Sequence, residues 1–268
     1  VIRVFPRRTK WTPGDALAFV GDPPLFRPRE DLRVMISVAF TWDIYEARRL
    51  AESWGRFYSH VEIGGPALDH SGGLFVPGAF LKEGAVITSR GCIRKCGFCF
   101  VPEREGGIRE LPIEDGWNIF DNNLLACSRR HIEAVFAMLG RQSKGAVFSG
   151  GLDARLFDEW HMRLLEGISL NEAWFACDYP GAERHLEKVA TVMAGVSIEK
   201  KRCFVLIGHG SDTLAAAERR LERVYKMGFL PFAMLYRDSA NTAPDRPWRA
   251  LQRKWARPAA YRSSEARK

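Results

Sequence analysis

Four short apolar segments in the C-terminal half of the chain begin at residues 146, 173, 202 and 230, 27 to 29 residues apart. Each ends on residues suited to a ligand or a turn. Ala146-Val147-Phe148 runs into Ser149-Gly150-Gly151, and Ala173-Trp174-Phe175-Ala176-Cys177 into Asp178. Segment 202–207 runs into Gly208-His209-Gly210, and segment 230–236 into Arg237-Asp238. Helical patterns at about 156–167, 181–194 and 212–227 separate them. The last carries Leu214, Ala217, Leu221 and Val224 on one face, with Ser211 or Asp212 to cap it. Another helix, near 130–140, shows Ile132, Val135, Phe136 and Leu139 on one face. Strand and helix alternating at this interval predict a parallel α/β array, because a barrel of eight such units spends about 31 residues on each. Ala85-Val86-Ile87-Thr88 supplies a fifth strand ahead of the array. Ligands of parallel α/β folds gather at the C-terminal ends of the strands. The five strand ends are therefore expected to share one cavity.

The loop after that first strand carries the chemistry. Ser89-Arg90-Gly91-Cys92-Ile93-Arg94-Lys95-Cys96-Gly97-Phe98-Cys99 sets three cysteines at C-x3-C-x2-C spacing. Thiolates so placed can wrap one soft metal centre from a single loop, and thiolate is the ligand that iron–sulfur clusters take. A structural zinc site normally takes four ligands rather than three. Buried or zinc-bound cysteines are the plainer reading of the same residues. Cys127, Cys177 and Cys203 lie apart from one another and read as buried apolar residues.

This loop resembles the signature of the radical S-adenosylmethionine (radical SAM) enzymes, in which C-x3-C-x-aromatic-C ends the first barrel strand. Cys92, Cys96, Phe98 and Cys99 match it. The resemblance implies a partial (β/α)6 TIM-type barrel and a [4Fe–4S] cluster on the three cysteines. It further implies S-adenosylmethionine on the open iron, with Phe98 near the adenine. In that family the reduced cluster cleaves the cofactor, and the resulting 5′-deoxyadenosyl radical takes a hydrogen from substrate. An electron donor such as flavodoxin or ferredoxin is the implied partner. Gly150-Gly151 resembles the glycine pair that ends the second barrel strand and receives the methionine amino group. Here Leu152 and then Asp153 stand where the family has a glutamate. Asp178 is a second candidate for the cofactor, or else a cap for the helix after it. His209 and Arg237 are candidates for contacting substrate.

The barrel segment is expected over residues 81–245. Ahead of it, 1–80 reads as a Pro- and Arg-rich arm followed by a small α/β unit. In that unit a strand over 34–40 and another over 60–63 flank a helix with Ala47, Leu50, Ala51 and Trp54 at helical spacing, which Thr41 or Asp43 can cap. Ser71-Gly72-Gly73 and Pro77-Gly78 then form a loop. The unit resembles a shortened form of the flavodoxin-like, cobalamin-binding domain found before the barrel in many radical SAM enzymes. Cobalamin is not expected, because Asp43 is followed by Ile44 and Tyr45 where those families carry a histidine.

The formal net charge is +8, which suits an anionic partner and makes nucleic acid a candidate. The tail, 246–268, mixes Trp248, Trp255 and Tyr261 with Arg249, Arg253, Lys254, Arg257 and Arg262. Basic and aromatic residues together can grip phosphates and stack on bases. Alternatively Trp248, Leu251 and Trp255, at helical spacing, pack a last helix on the sheet. A non-catalytic iron–sulfur or zinc protein that binds nucleic acid is thus the competing functional class. Nothing in the sequence shows a signal peptide or a membrane-spanning run, and the cysteine usage suggests a reducing, cytoplasmic setting. Neither the substrate nor the oligomeric state is legible.

Overall fold

The computed structural model describes residues 1–29, 31–68, 76–179, 181–237, 245–259 and 261. Ser71-Gly72-Gly73, Asp238 and Arg262 lie outside the described residues.

The N-terminal part is a parallel sheet of four strands. They are β1 (Ile2–Phe5), β2 (Ala18–Val20), β3 (Val34–Ser37) and β4 (Val61–Gly64), in the order β2-β1-β3-β4. Helix α1 (Ile44–Gly55) joins β3 to β4 and buries Ala47, Leu50 and Trp54. Ile2, Val4, Val34, Ile36 and Val38 from the strands, with Tyr58 and Ala67, share this core. The region read as an arm therefore contributes two strands. Alternation in Ile2-Arg3-Val4-Phe5 buries Ile2 and Val4 while Arg3 lies part-exposed on the other face. Neither Thr41 nor Asp43 caps α1 through its side chain; Asp43 is buried against Arg7 instead, whose Nε donates to Asp43 Oδ2 at 2.7 Å.

The second sheet has six parallel strands in the order in which the chain makes them. These are β5 (Ala85–Val86), β8 (Asn118–Ile119), β9 (Ala146–Phe148), β10 (Leu170–Ala176), β11 (Lys201–Ile207) and β12 (Leu230–Leu235). Between β5 and β8 the chain forms a two-stranded antiparallel ribbon, β6 (Ser89–Arg90) and β7 (Arg109–Glu110), with the short helix α2 (Val101–Arg104) between its strands. Helices α3 (Arg129–Gly140), α4 (Glu159–Glu166), α5 (Glu183–Val192) and α6 (Leu214–Lys226) connect the later strands, and α7 (Arg246–Trp255) follows β12. Among the described residues no pairing joins β12 back to β5, so a closed barrel is not seen.

Sequence periodicity places most of this sheet. The face of α3 buries Ile132, Val135, Phe136 and Leu139 as expected, together with Met138. Strand β8 is the one the pattern does not reveal. It is two residues long, and both are buried. The cap of α6 is Thr213, whose hydroxyl accepts from the Ala216 amide at 3.2 Å, and not Ser211 or Asp212. Asp212 turns back to accept from Arg220 Nη2 at 2.9 Å and from the Gly208 amide at 3.0 Å.

The tail packs. Leu251, Trp255 and Tyr261 are buried, Trp248 lies against the same core, and Trp255 stacks on Tyr261 with centroids 4.8 Å apart. Trp255 and Tyr261 are thus unavailable for stacking on bases, which corrects the aromatic half of the nucleic-acid reading. Arg249, Arg253, Lys254 and Arg257 are exposed.

Candidate functional site

A cavity of about 690 Å³ opens over the C-terminal ends of the six-stranded sheet, within the size range of small-molecule sites. Cys92, Cys96 and Cys99 all line it, each partly buried. Phe98, Gly150, Gly151, Asp153 and Asp178 line it too. The ends of β5, β9 and β10 meet there as expected, joined by that of β8, while β11 and β12 reach it through Phe204, Leu206 and Met234 and not through the residues after them. His209 and Arg237 do not line it. His209 packs edge-on against Phe98, centroids 5.7 Å apart, and against Tyr236 at 4.6 Å. Arg237 lies over the Trp42 ring at 4.6 Å.

Backbone geometry holds the cysteine loop in place. Gly91 has φ +85°, and a Cβ there would stand 2.1 Å from the Gly107 carbonyl oxygen. The ribbon β6–β7 thus closes only on glycine. The segment after β8 grips the loop from below. Asp121, buried, accepts from the Thr88 amide, the Thr88 hydroxyl and the Ser89 hydroxyl, each at 2.6 Å. Burial raises its pKa, although these donors pull it back. Asn122 Oδ1 accepts from the Gly91 amide at 3.0 Å, and Asn123 Nδ2 donates to Cys92 Sγ at 3.4 Å. Three consecutive residues thus hold Thr88, Ser89, Gly91 and Cys92.

The position of β8 changes one expectation. Gly150-Gly151 follows β9, which is the third strand of the sheet, whereas the second strand ends at Asp121-Asn122-Asn123. The glycine pair still has a physical reason. A Cβ on Gly150 would lie 2.1 Å from the Asp121 carbonyl oxygen, and Gly151 has φ +92°. Only glycine lets the end of β9 pass this close to the end of β8.

Asp153 is engaged on both oxygens. Its side chain is 6% exposed and accepts from Arg94 Nε at 2.8 Å and from Arg155 Nε at 2.8 Å. Burial alone would raise its pKa, but the hydrogen bonds from Arg155 and Arg94 outweigh it and hold the group below the usual carboxylate range. Asp178 has a different environment. Burial pushes its pKa up to about 6, moderated by the Leu206 amide, which donates to Oδ1 at 3.1 Å. It does not cap α5, whose N-terminus carries no side-chain cap. It reaches across to β11 instead.

Cys92 Sγ accepts from the Arg94 amide at 3.3 Å and from Asn123 Nδ2 at 3.4 Å. The Arg155 guanidinium bears on Cys96 and the Val101 amide on Cys99, and each lowers the pKa of its thiol. Burial raises the pKa of Cys96 and of Cys99, and these donors oppose it. The thiols feel one another's charge. Among the described residues, no three His, Cys, Asp or Glu side chains converge as a site for one metal ion. Three thiol sulfurs on one cavity wall are soft donors of the kind that iron–sulfur clusters take. Cys177 and Cys203 are fully buried and take no part.

The N-terminal sheet has its own candidate position. Strand order reverses at β1, and crevices of α/β sheets form at such a switch. The crevice here holds about 40 Å³ and is lined by Arg7, Ser37, Phe40 and Asp43. The Arg7–Asp43 pair lies on its wall, and Tyr45 is exposed.

Sequence reading missed Asp121, Asn122, Asn123, Arg94 and Arg155. The signal available for the first three was a polar run directly after the apolar Ile119-Phe120. The chain matches no protein-family model and no curated protein. No helix among the described residues is long and apolar enough to cross a membrane.

Proposed function

We propose that this chain is a radical SAM enzyme, with the six-stranded sheet as its open barrel and the loop 92–99 as its cluster loop. The observation that carries the reading is the three thiols, from one short loop, on the wall of a cavity at the C-terminal ends of six parallel strands. Cys92, Cys96 and Cys99 would hold a [4Fe–4S] cluster. Bound there, the reduced cluster would supply the electron that splits the carbon–sulfur bond of S-adenosylmethionine and so start hydrogen abstraction.

The chain's own residues have separable tasks. Asp121, Asn122 and Gly91 fix the height of the cysteine loop above the sheet. Phe98, braced by His209, forms an aromatic wall for a planar group. Asp178 holds a proton to near pH 6 and offers a carboxyl oxygen to the cavity. Phe204, Leu206 and Met234 line the wall supplied by β11 and β12 and are apolar. These residues are where substrate would lie.

The test is anaerobic turnover. Reconstituted protein with a strong one-electron reductant should convert S-adenosylmethionine to 5′-deoxyadenosine and methionine, and Cys96→Ala should not. No 5′-deoxyadenosine from protein with a full iron complement would overturn the reading.

A further inference from the structure

The groups that bear on the cysteine sulfurs come from two sources. The Arg94 amide, which donates to Cys92, belongs to the cysteine loop itself. Two side chains are brought from elsewhere. Asn123, after β8, donates to Cys92 at 3.4 Å, and Arg155, after β9, lines the same cavity wall as Cys96 with its charge acting on that thiol. Both are tied to one carboxylate. Asp153 Oδ2 accepts from Asn123 Nδ2 at 3.3 Å, and Asp153 Oδ1 accepts from Arg155 Nε at 2.8 Å and from its amide at 3.1 Å.

The Asn123 side chain is oriented by its surroundings. Sulfur and carboxylate are both acceptors, so the NH₂ must face them. Its Oδ1 is then left buried without a hydrogen-bond partner. Buried polar atoms of that kind are rare and call for a reason. A side chain serving packing alone would not give up its oxygen in order to aim its nitrogen at a sulfur.

We propose that Asp153 is a positioning residue that holds Asn123 against the Cys92 sulfur and the Arg155 guanidinium on the Cys96 side of the cavity, and thereby sets the reduction potential of the cluster. This rests on the reading given under Proposed function. It departs from the amino-group role that the resemblance implies for an acid near the glycine pair. The physical basis is charge. A one-electron donor adds one negative charge to the cluster and its thiolates, with no bond made or broken. N–H donors and a guanidinium at those sulfurs stabilise the reduced form more than the oxidised form and raise the potential. Asp153 alone would act in the opposite sense, but its charge is taken up by Arg94 and Arg155.

That opposition gives a test by sign. Full-length wild type, Asn123→Leu, Arg155→Met, Arg155→Lys and Asp153→Asn are reconstituted anaerobically. Iron content and the midpoint potential are measured, the latter by a titration followed by electron paramagnetic resonance. Asn123→Leu and Arg155→Met should each lower the reduction equilibrium constant about three- to tenfold, tenfold being about 59 mV for one electron. Arg155→Lys keeps the charge and should recover part of the loss. Asp153→Asn removes a negative charge, which by itself would raise the potential. If Asp153 works by aiming the donors, the potential falls instead. A rise in Asp153→Asn, or unmoved potentials in the Asn123 and Arg155 variants at full iron content, overturns the proposal alone. Wild type that holds no iron overturns the functional reading and this inference together. Should Asp153→Asn fail to fold, Asn123→Leu and the Arg155→Lys/Met comparison decide.

Discussion

Asp178 and Asp153 face the same cavity and have opposite environments. Asp153 has two arginines; Asp178 has one backbone donor and burial that lifts its pKa to about 6. In the unfolded chain an aspartate titrates near 3.9. The folded chain therefore binds more protons than the unfolded one between about pH 4 and pH 6, and this group lowers stability as pH rises through that window. Above it the full cost stands, about 3 kcal/mol. Asp178→Asn keeps an acceptor for the Leu206 amide and removes the charge. In iron-free protein it should raise stability by about 3 kcal/mol at pH 8, the gain fading toward pH 4. Urea midpoints at the two pH values check this, and a pH-independent difference would contradict it. Gly91→Ala should act through sterics instead. With φ +85° and a carbonyl oxygen 2.1 Å from the new Cβ, it should destabilise by about 1–3 kcal/mol. It should also cut iron uptake in the same preparation. Normal stability with full iron would show that the ribbon is not so constrained.

At the scale of elements, legibility followed the apolar run. Strands β5 and β9 to β12 were readable because each lies in an unbroken run of mostly apolar residues, and α3 because its apolar face recurs over three turns. Asn118–Ile119 was not, because a polar Asn118 breaks the run around it, yet that strand sets the strand count and carries Asp121-Asn122-Asn123 at its end. The caps show a second limit. Asp212 is a good capping residue by type, but a buried Arg220 competes for it and leaves the cap to Thr213. Asp153 and Arg94 are 59 residues apart, so no local pattern could join them. For α7 the two readings of the tail part clearly. Trp255 is buried and stacked on Tyr261, so Trp255→Ala should cost about 3–5 kcal/mol. The exposed pair Arg249→Ala/Arg253→Ala should change stability by less than about 0.5 kcal/mol. Thermal melts of the two variants distinguish these outcomes. If a single-stranded nucleic acid binds here, only the arginine pair should change its salt dependence, by about 0.7 in log–log slope per contact.

For the whole molecule, the two sheets have separate cores and a defined seam. Arg3 donates to the Gly78 and Ala79 carbonyls at 3.0 and 2.8 Å, the Lys82 amide bonds the Trp11 carbonyl at 2.9 Å, and Trp11 packs edge-on against Phe120. Phe120 also lines the cavity. The N-terminal sheet therefore supports the approach to β5, and through β5 the cysteine loop. Across the molecule, the central claim is that this loop holds a cluster with an iron open to S-adenosylmethionine. The most direct measurement is electron paramagnetic resonance of the anaerobically reconstituted, reduced protein with and without S-adenosylmethionine, alongside iron analysis. The account predicts about four irons per chain, a cluster signal that shifts when S-adenosylmethionine is added, and loss of both in Cys92→Ala, Cys96→Ala and Cys99→Ala. Zinc in place of iron, or a cluster that persists in all three variants, would contradict it.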